Sequence, residues 1–412
     1  MKVAIIGGGV SGLFCALNLR NCQVFVFEKN DSVGLKLNIT GKGRCNFTNN
    51  CDQEEFLSNV VTNPRFLFSA LSAFSPQDTI EFFNNLGIQS VTERGKRVFP
   101  KNIKASDVSK TLFDECKKRN VKFIFEKVES VGKKSQEFLI KTSQSKYEFD
   151  FVIVCTGGKS YPVTGSTGDG YEIAKSFAHT IVSLKPALIP IQTKENVLSI
   201  CGLNLKNVQV QAISKKKKFS YFGEVEFWSK GLCGPTILTL SSYLNKYDLA
   251  DFVIHLDLKP ALTEDKLDAR ILRELSNQAN KNLKDVLVTL VPSKLVGYLG
   301  KIAGVDLEKS TRIVTRHDRE NIVKALKNLK FTPTALDNID RAIITSGGVS
   351  VKEVNPSTME SKIVSGLYFA GEILDVDALT GGFNMQIAFS TAFCVAKNLN
   401  IKIEENNYGY SN

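Results

Sequence analysis

Histidine is scarce, with three in 412 residues, at positions 179, 255 and 317. None lies near two cysteines, which argues against a tetrahedral Cys/His zinc site. The nine cysteines, at 15, 22, 45, 51, 116, 155, 201, 233 and 394, form no cluster and no C-x-x-C pair. That spread points to a reducing cytosol and away from a disulfide scaffold. No apolar run approaches the ~18 residues that a membrane-spanning helix needs. The opening MKVAIIGGGVSGLFCALNL is broken by Gly7, Gly8, Gly9 and Gly12, and no small-x-small cleavage site follows. It therefore does not read as a signal peptide, and a soluble, cytoplasmic protein without a membrane partner is expected. Internal repeats and low-complexity linkers are also missing.

What remains suits a multidomain globular chain. At roughly 150 residues per domain, two or three domains are expected, and a hydrophobic content of 43% is ordinary. The net charge of +11 admits a surface for nucleic acid or anionic substrates, or a merely solvated basic face. Residues 259–330 mix 15 Lys/Arg with 9 Asp/Glu and contain Tyr298 as their one aromatic. Lys215–Lys218 reads as the tip between two β-like stretches. Blocks this short are usually exposed turns, so a solvated face is preferred.

The N-terminus carries more information. KVAII (residues 2–6) is an apolar β-run, GGGVSG follows at once, LFCALNLR (13–20) continues with helix formers, and QVFVF (23–27) is a second β-run ending at Glu28. This places G-x-G-x-x-G at Gly7, Gly9 and Gly12 inside a β-turn-α-β unit. Gly7 permits a tight turn, Gly9 a close approach to a pyrophosphate, and Gly12 helix-on-strand packing. The helix N-terminus would hold the phosphates, and Glu28 a ribose hydroxyl. Only 15 residues separate Gly12 from Glu28, a short crossover.

Downstream, residues 78–87 look helical, and 121–125 and 138–142 look like strands flanking a turn. DFVIVC (150–155) reads as a central parallel strand running into the glycine pair of TGGKSYP. From 187 to about 260 short β-runs dominate (Val208–Ile213, Lys218–Tyr221, Glu224–Trp228), and 264–330 are helix-like. Strand-and-glycine patterning returns at AIITSGG. The expected architecture is α/β, with a discontinuous Rossmann-type domain (1–186 plus 336–412). It is interrupted by a small β-barrel-like domain (187–262) and a helical domain (263–335).

Near the C-terminus, LYFA (367–370) is a strand, followed by Gly371, Glu372, Asp375 and Asp377. Thr380-Gly381-Gly382 then opens a helix expected over Phe383–Leu399. A dinucleotide that reaches from the first helix to a second helix N-terminus is long, and FAD fits better than NAD. The second helix dipole would stabilise the negative charge of a reduced flavin. Glu372 or Asp375 would suit ribityl hydroxyls.

Three stretches, GLKLNITGKGRCNFTN (34–49), GGKSYPVTGSTGDGY (157–171) and SGLYFAGEILDVDALTGGFNMQIAF (365–389), resemble the BaiN-like family of bacterial NAD(P)/FAD-dependent oxidoreductases. Some members of that family are described as aminoacetone-oxidase-family FAD-binding enzymes. The resemblance implies non-covalent FAD and the interrupted architecture. By matching motifs it implies that Gly7, Gly9, Ser11 and Gly12 serve the pyrophosphate, and Glu28, with Lys29 beside it, the adenosine ribose. Lys36, Arg44, Cys45 and Asn46 would lie beside FAD, Val128 at the adenine, and Thr156, Gly157 and Gly158 near the AMP part. Gly371, Glu372 and Asp375 match the ribityl region, and Gly382 and Asn384 the helix beneath the flavin. Leu35 and Lys42 depart from the family pattern, standing where many members carry Arg and Gly.

The expected function is an FAD-dependent oxidoreductase that passes hydride between flavin and a small organic substrate or NAD(P)H. No second GxGxxG exists, so a pyridine nucleotide would bind only transiently. Two alternatives stand beside it. One is a flavin disulfide reductase using Cys45 and Cys51, although on one helix a C-x5-C pair would be splayed about 240° apart. The other is an FAD-containing nucleic-acid-binding protein, disfavoured because basic residues and aromatics are not interleaved over 259–330. Tyr161 is a candidate proton donor, His179 and His317 read as lone surface histidines, and no catalytic acid or base stands out. Substrate and oligomeric state are not legible.

Overall fold

The computed structural model describes residues 1–409, without the side chains of 406–409. The chain divides into two compact units, Met1–Ala187 with the segment from Asn338 onward, and Leu188–Asp337.

In the first unit the run KVAII becomes the strand Lys2–Ile6, buried except for Lys2. Gln23–Phe27 and Phe151–Val154 flank it, and Lys122–Ile124 and Leu367–Phe369 form the outer strands, with every pairing parallel. A parallel sheet needs cover on both faces, which explains why VIV at 152–154 is fully buried and shows no polar alternation. The late strand Leu367–Phe369 thus completes a sheet begun at residue 2. Lys122–Ile124 does not pair with the 138–142 run as expected. Val128–Lys134 intervenes and forms a separate antiparallel sheet with Glu137–Thr142 and Lys146–Phe149. The 78–87 helix is observed as Pro76–Asn85, started by a Ser75–Asp78 capping box.

The last helix runs over Phe383–Gly409, past the expected end at Leu399. Phe389 packs against Phe14 of the first helix, Val10–Asn18, at 5.0 Å between rings. Beyond Leu399 the side chain of Asn400 accepts from Arg20 N and donates to Asn18 O. Ile403 is fully buried. These contacts give the polar continuation a reason to stay helical. No helix of the described residues is long and apolar enough to cross a membrane.

The second unit contains a seven-stranded antiparallel sheet. Its two terminal strands, Leu329–Phe331 and Pro333–Leu336, are nearly consecutive in sequence. The sheet must therefore curl until its ends approach, which is a barrel-like geometry. The runs 218–221 and 224–228 form one strand, Lys218–Trp228. Gly223 lets it continue under the helix Pro235–Leu244, since a Cβ there would lie 2.5 Å from Thr236 Oγ1. The β and helical stretches expected as two domains share one apolar core. Val210, Ile254 and Phe331 of the sheet join Leu267, Leu295 and Leu326 of the helices. Pro235–Leu244 packs on the strand Lys218–Trp228 and Arg316–Lys327 on Val253–Asp257, while Glu264–Asn277 and Leu283–Leu287 bury their apolar stripes mainly against neighbouring helices.

Candidate cofactor-binding site

The first strand ends in a turn that only glycine can make. Gly7 has φ +109°, and a Cβ on it would lie 2.5 Å from Cys155 O. A Cβ on Gly12 would lie 2.0 Å from Gly7 O, so the helix rests directly on the turn. Gly9 differs, because a Cβ there meets no protein atom within 4 Å. Two glycines serve the chain's own packing, and the third leaves an open approach at the helix start, where a pyrophosphate would be received. Ser11 is buried, and its Oγ lies 2.1 Å from where Gly371 would carry a Cβ. Glu28 is buried and accepts N–H bonds from Gly8 (2.8 Å) and Asn30 (2.9 Å), with Asn30 Nδ2 at 2.7 Å. Its Oε2 keeps acceptor capacity for a further donor. Lys29 donates to Thr167 and, at 2.7 Å, to Asp169. Lys127, just before Val128, approaches the same Asp169 at 3.7 Å, and Val128 itself is buried at the start of its strand.

Glu372 is a hub. Its Oε2 accepts from Lys36 Nζ at 2.6 Å, and its Oε1 from Thr345 N at 2.9 Å and Ser160 Oγ at 3.2 Å. Lys36 also donates to Ser160 at 2.8 Å. Lys36 and Glu372, expected as separate cofactor contacts, thus form a half-buried ion pair. Gly158 is pressed into this network, because a Cβ on it would lie 2.4 Å from Thr345 Oγ1 and 2.8 Å from Glu372 Oε1. Gly157, with φ +72°, precedes it. Asp375 accepts from Asn63 Nδ2 on its carbonyl (2.7 Å) and carboxylate (3.0 Å). Two buried hydroxyls near this network, Thr156 Oγ1 and Tyr171 OH, find no protein partner. Burial, followed by the charges of Glu372 and Asp375, pushes the Tyr171 phenol well above its usual range.

ITGKGRCN is a tight loop in which Gly41, Lys42, Gly43 and Cys45 all have positive φ. It meets the start of the last helix closely, since a Cβ on Gly382 would lie 2.2 Å from Thr48 O and 2.9 Å from Asn46 Oδ1. Asn46 Oδ1 is buried without a protein partner. Asn384 braces the turn before the helix, accepting from Ala378 N (2.9 Å) and donating to Ala378 O (2.7 Å). Gln386 anchors the same helix, accepting from the Thr48 and Thr79 hydroxyls at 2.6 and 2.7 Å. Sequence reasoning missed Gln386 and Tyr171. The available signal was a polar side chain inside a run too apolar to be exposed, which must find partners.

Arg44 was expected to offer charge to the cofactor. It is exposed, pairs with Glu93 and lies over the Phe99 ring at 4.3 Å. Burial pushes the Cys45 thiol up to about 12 and the Cys51 thiol up to about 11. All nine cysteines are free. Raised thiol pKa values give a disulfide-reductase reading no support.

His179, expected at the surface, is buried, because its strand-flanking turn packs on Phe369 (4.8 Å between rings). Its Nε2 lies 2.8 Å from Ser361 Oγ and its Nδ1 3.3 Å from Glu353 Oε2. The order is that of a hydrolytic triad. Ser361 Oγ, however, already accepts the N–H groups of Ile363 and Val364 at 3.0 and 2.8 Å. This serine caps a turn and is no nucleophile. Tyr161 sits half-buried at a left-handed turn with φ +53°. Among the described residues no group of His, Cys, Asp and Glu could hold a metal ion.

The family described as HI0933-like protein Rossmann domain matches residues 1–398. The chain belongs to this family. Its place is among the FAD-dependent oxidoreductases, as the BaiN-like resemblance implied. A ribosomal RNA dihydrouridine synthase of Haemophilus influenzae is 30% identical to this HI0933-like chain over 95% of it and 96% of the relative. A 3-dehydro-bile acid delta(4,6)-reductase of Clostridium scindens is 27% identical over 96% and 98%. Among solved structures, a 3-ketosteroid delta1-dehydrogenase from Sterolibacterium denitrificans shares the fold, with TM-score 0.53 and 12% identity over 97% of this chain and 99% of that one.

Proposed function

We propose that this HI0933-like protein is an FAD-dependent reductase that delivers hydride to a carbon–carbon double bond conjugated with a carbonyl, with NADH or NADPH as electron source. The observation that carries FAD is the set of buried, partnerless polar atoms (Asn46 Oδ1 in the 34–49 stretch, Thr156 Oγ1 and Tyr171 OH at the two ends of the next), together with the open approach at Gly9. A buried polar atom without a partner is costly, and a polar ligand relieves it. Gly7, Gly9, Ser11 and Gly12 would hold the pyrophosphate. Glu28, Lys29 and Val128 would hold the adenosine end, and Thr156, Gly157 and Gly158 the adjoining AMP part. Lys36, Gly371, Glu372, Asp375 and Tyr171 would line the ribityl chain. Cys45, Asn46, Gly382 and Asn384 would lie at the ring system, with Arg44 at the rim of the loop. Bound there, FAD would supply a hydride-carrying ring nitrogen. The start of the helix at Phe383 favours negative charge on a group lying against it, and the protonated Cys45 adds none.

The acceptor class follows from chemistry common to the two named relatives. A Δ4,6 3-oxo steroid and a uracil ring both present a C=C conjugated with C=O. A base in RNA is a second reading of the substrate. Residues 188–337 favour it, since they carry 23 Lys/Arg against 16 Asp/Glu, or +7 of the chain's +11.

The test is anaerobic. NADH or NADPH is expected to bleach the visible flavin band of the purified protein, and an enone steroid or a uridine-containing RNA to restore it. Protein that neither holds nor takes up FAD would sink the proposal. A bleached flavin that no conjugated double bond reoxidises would remove the acceptor class.

A further inference from the structure

The outer face of the inserted sheet carries chemistry that the cofactor site does not use. Strands Asn204–Ile213 and Lys218–Trp228 form a hairpin, flanked by Val253–Asp257 and then Leu329–Phe331. Alternate residues point to opposite faces. One set, including Val210, Ile254 and Phe331, is buried in the core. The other set stays outside. Ser220, Gln211, His255 and Lys330 lie in one cross-strand row, and Phe222 opposes Gln209 in the next. Phe222 is 62% exposed, unusual for phenylalanine in the middle of a paired strand. Gln209 Nε2 donates to Ser220 Oγ at 3.1 Å. The turn joining the strands holds the exposed Lys215, Lys216 and Lys217, and its backbone is fixed by the Ser214 hydroxyl, which accepts from Lys216 N and Lys217 N. On the inner side Phe219 and Tyr221 stack with Tyr243 at 5.7 and 5.8 Å, which stiffens the hairpin.

We propose that this face docks a single-stranded segment of RNA. The proposal rests on the RNA reading of the substrate above. An exposed ring on a rigid sheet stacks a base, the neighbouring amides and hydroxyl satisfy base edges or 2′-hydroxyls, and the lysine turn neutralises phosphates. The face is isolated-aromatic and polar, so it lacks the continuous apolar area a protein partner would bury. Residues 259–330 place no aromatic beside their lysines except Tyr298, whereas here the lysine turn and the exposed Phe222 lie within one hairpin.

The test uses the full-length FAD-bound protein and fluorescence anisotropy with a 12-nucleotide oligouridine RNA at several salt concentrations. Phe222→Ala is expected to weaken binding about tenfold with the salt slope unchanged. The triple change of Lys215, Lys216 and Lys217 to Ala is expected to lower the slope by about 2 to 3. Trp228, the chain's single tryptophan, lies on the same hairpin and reports by its fluorescence that each variant is folded. Wild-type binding that both variants retain overturns the docking face alone. Wild-type protein that binds no RNA overturns the RNA reading with it, while NAD(P)H bleaching of the flavin is unaffected. Equal affinity for a DNA strand of matching sequence overturns the assignment to RNA.

Discussion

The two units use their polar chemistry in opposite ways. The first holds 22 of the chain's 29 glycines. Where these form the motif turns, backbone closes on backbone, and buried atoms such as Thr156 Oγ1 and Tyr171 OH are left unmet. The second holds 7 glycines and most of the charge excess, and its unused polar groups lie on an outer sheet face. A site for an enclosed ligand is written in what a fold fails to satisfy within itself. A docking surface is written in what it satisfies and still exposes.

The contrast can be broken most forcefully at its glycines. Gly12→Ala drives a methyl against Gly7 O and should cost about 3 kcal/mol or more, with complete loss of bound FAD. Gly297→Ala, in the exposed middle of the helix Ser293–Ala303 with no neighbour within 4 Å, should instead stabilise by about 0.5 to 1 kcal/mol. Flavin-to-protein ratio and urea midpoint read both, and similar effects at the two positions would erase the distinction. Next in size, Lys36→Met should cost about 1 to 3 kcal/mol by stranding Glu372 in a half-buried network. Adding Glu372→Gln should then cost little more, and simple additivity in a double-mutant cycle would show that the two are not coupled.

Tyr171→Phe sharpens the comparison more finely. It removes an unmatched hydroxyl, so the FAD-free protein should be as stable or more stable by about 1 kcal/mol, while FAD affinity falls about five- to tenfold. Equal FAD affinity, by titration of the stripped protein, would leave the hydroxyl without a role. The smallest effect concerns pH. Burial lowers the His179 pKa, only partly opposed by Glu353, so the unfolded chain takes up this proton before the folded one does. The stabilisation is present above the unfolded value near 6.5 and is lost as pH falls below it. His179→Gln should flatten the decline in urea midpoint between about pH 7 and pH 5, and an unchanged slope would assign that decline to other groups.

The centre of the parallel sheet was legible because Lys2–Ile6, Phe151–Val154 and Leu367–Phe369 are apolar runs with a glycine within three residues of their ends, and the turn at Gly7 because three glycines at fixed spacing have few other uses. The Lys36–Glu372 pair was not legible. Its members stand 336 residues apart, and each separately suited a cofactor role. The Arg44–Glu93 pair was hidden for a similar reason, since nothing local announces that Glu93 will meet it. His179 was misjudged from polar sequence neighbours, because burial depends on the returning strand Leu367–Phe369. The merging of the two inserted stretches escaped notice because a shared core leaves no mark on periodicity.

The interrupted sheet also imposes an order in time. Residues 2–28 supply the first two strands and the glycine turn as synthesis starts, yet the strand Leu367–Phe369 and the Gly371–Asn384 segment arrive after the whole 188–337 unit has been made. The inserted unit has a core of its own and can fold while the parallel sheet is still incomplete. The five-stranded sheet can close only after the inserted unit has been made, so the strand Phe151–Val154 keeps an open edge until Leu367–Phe369 arrives.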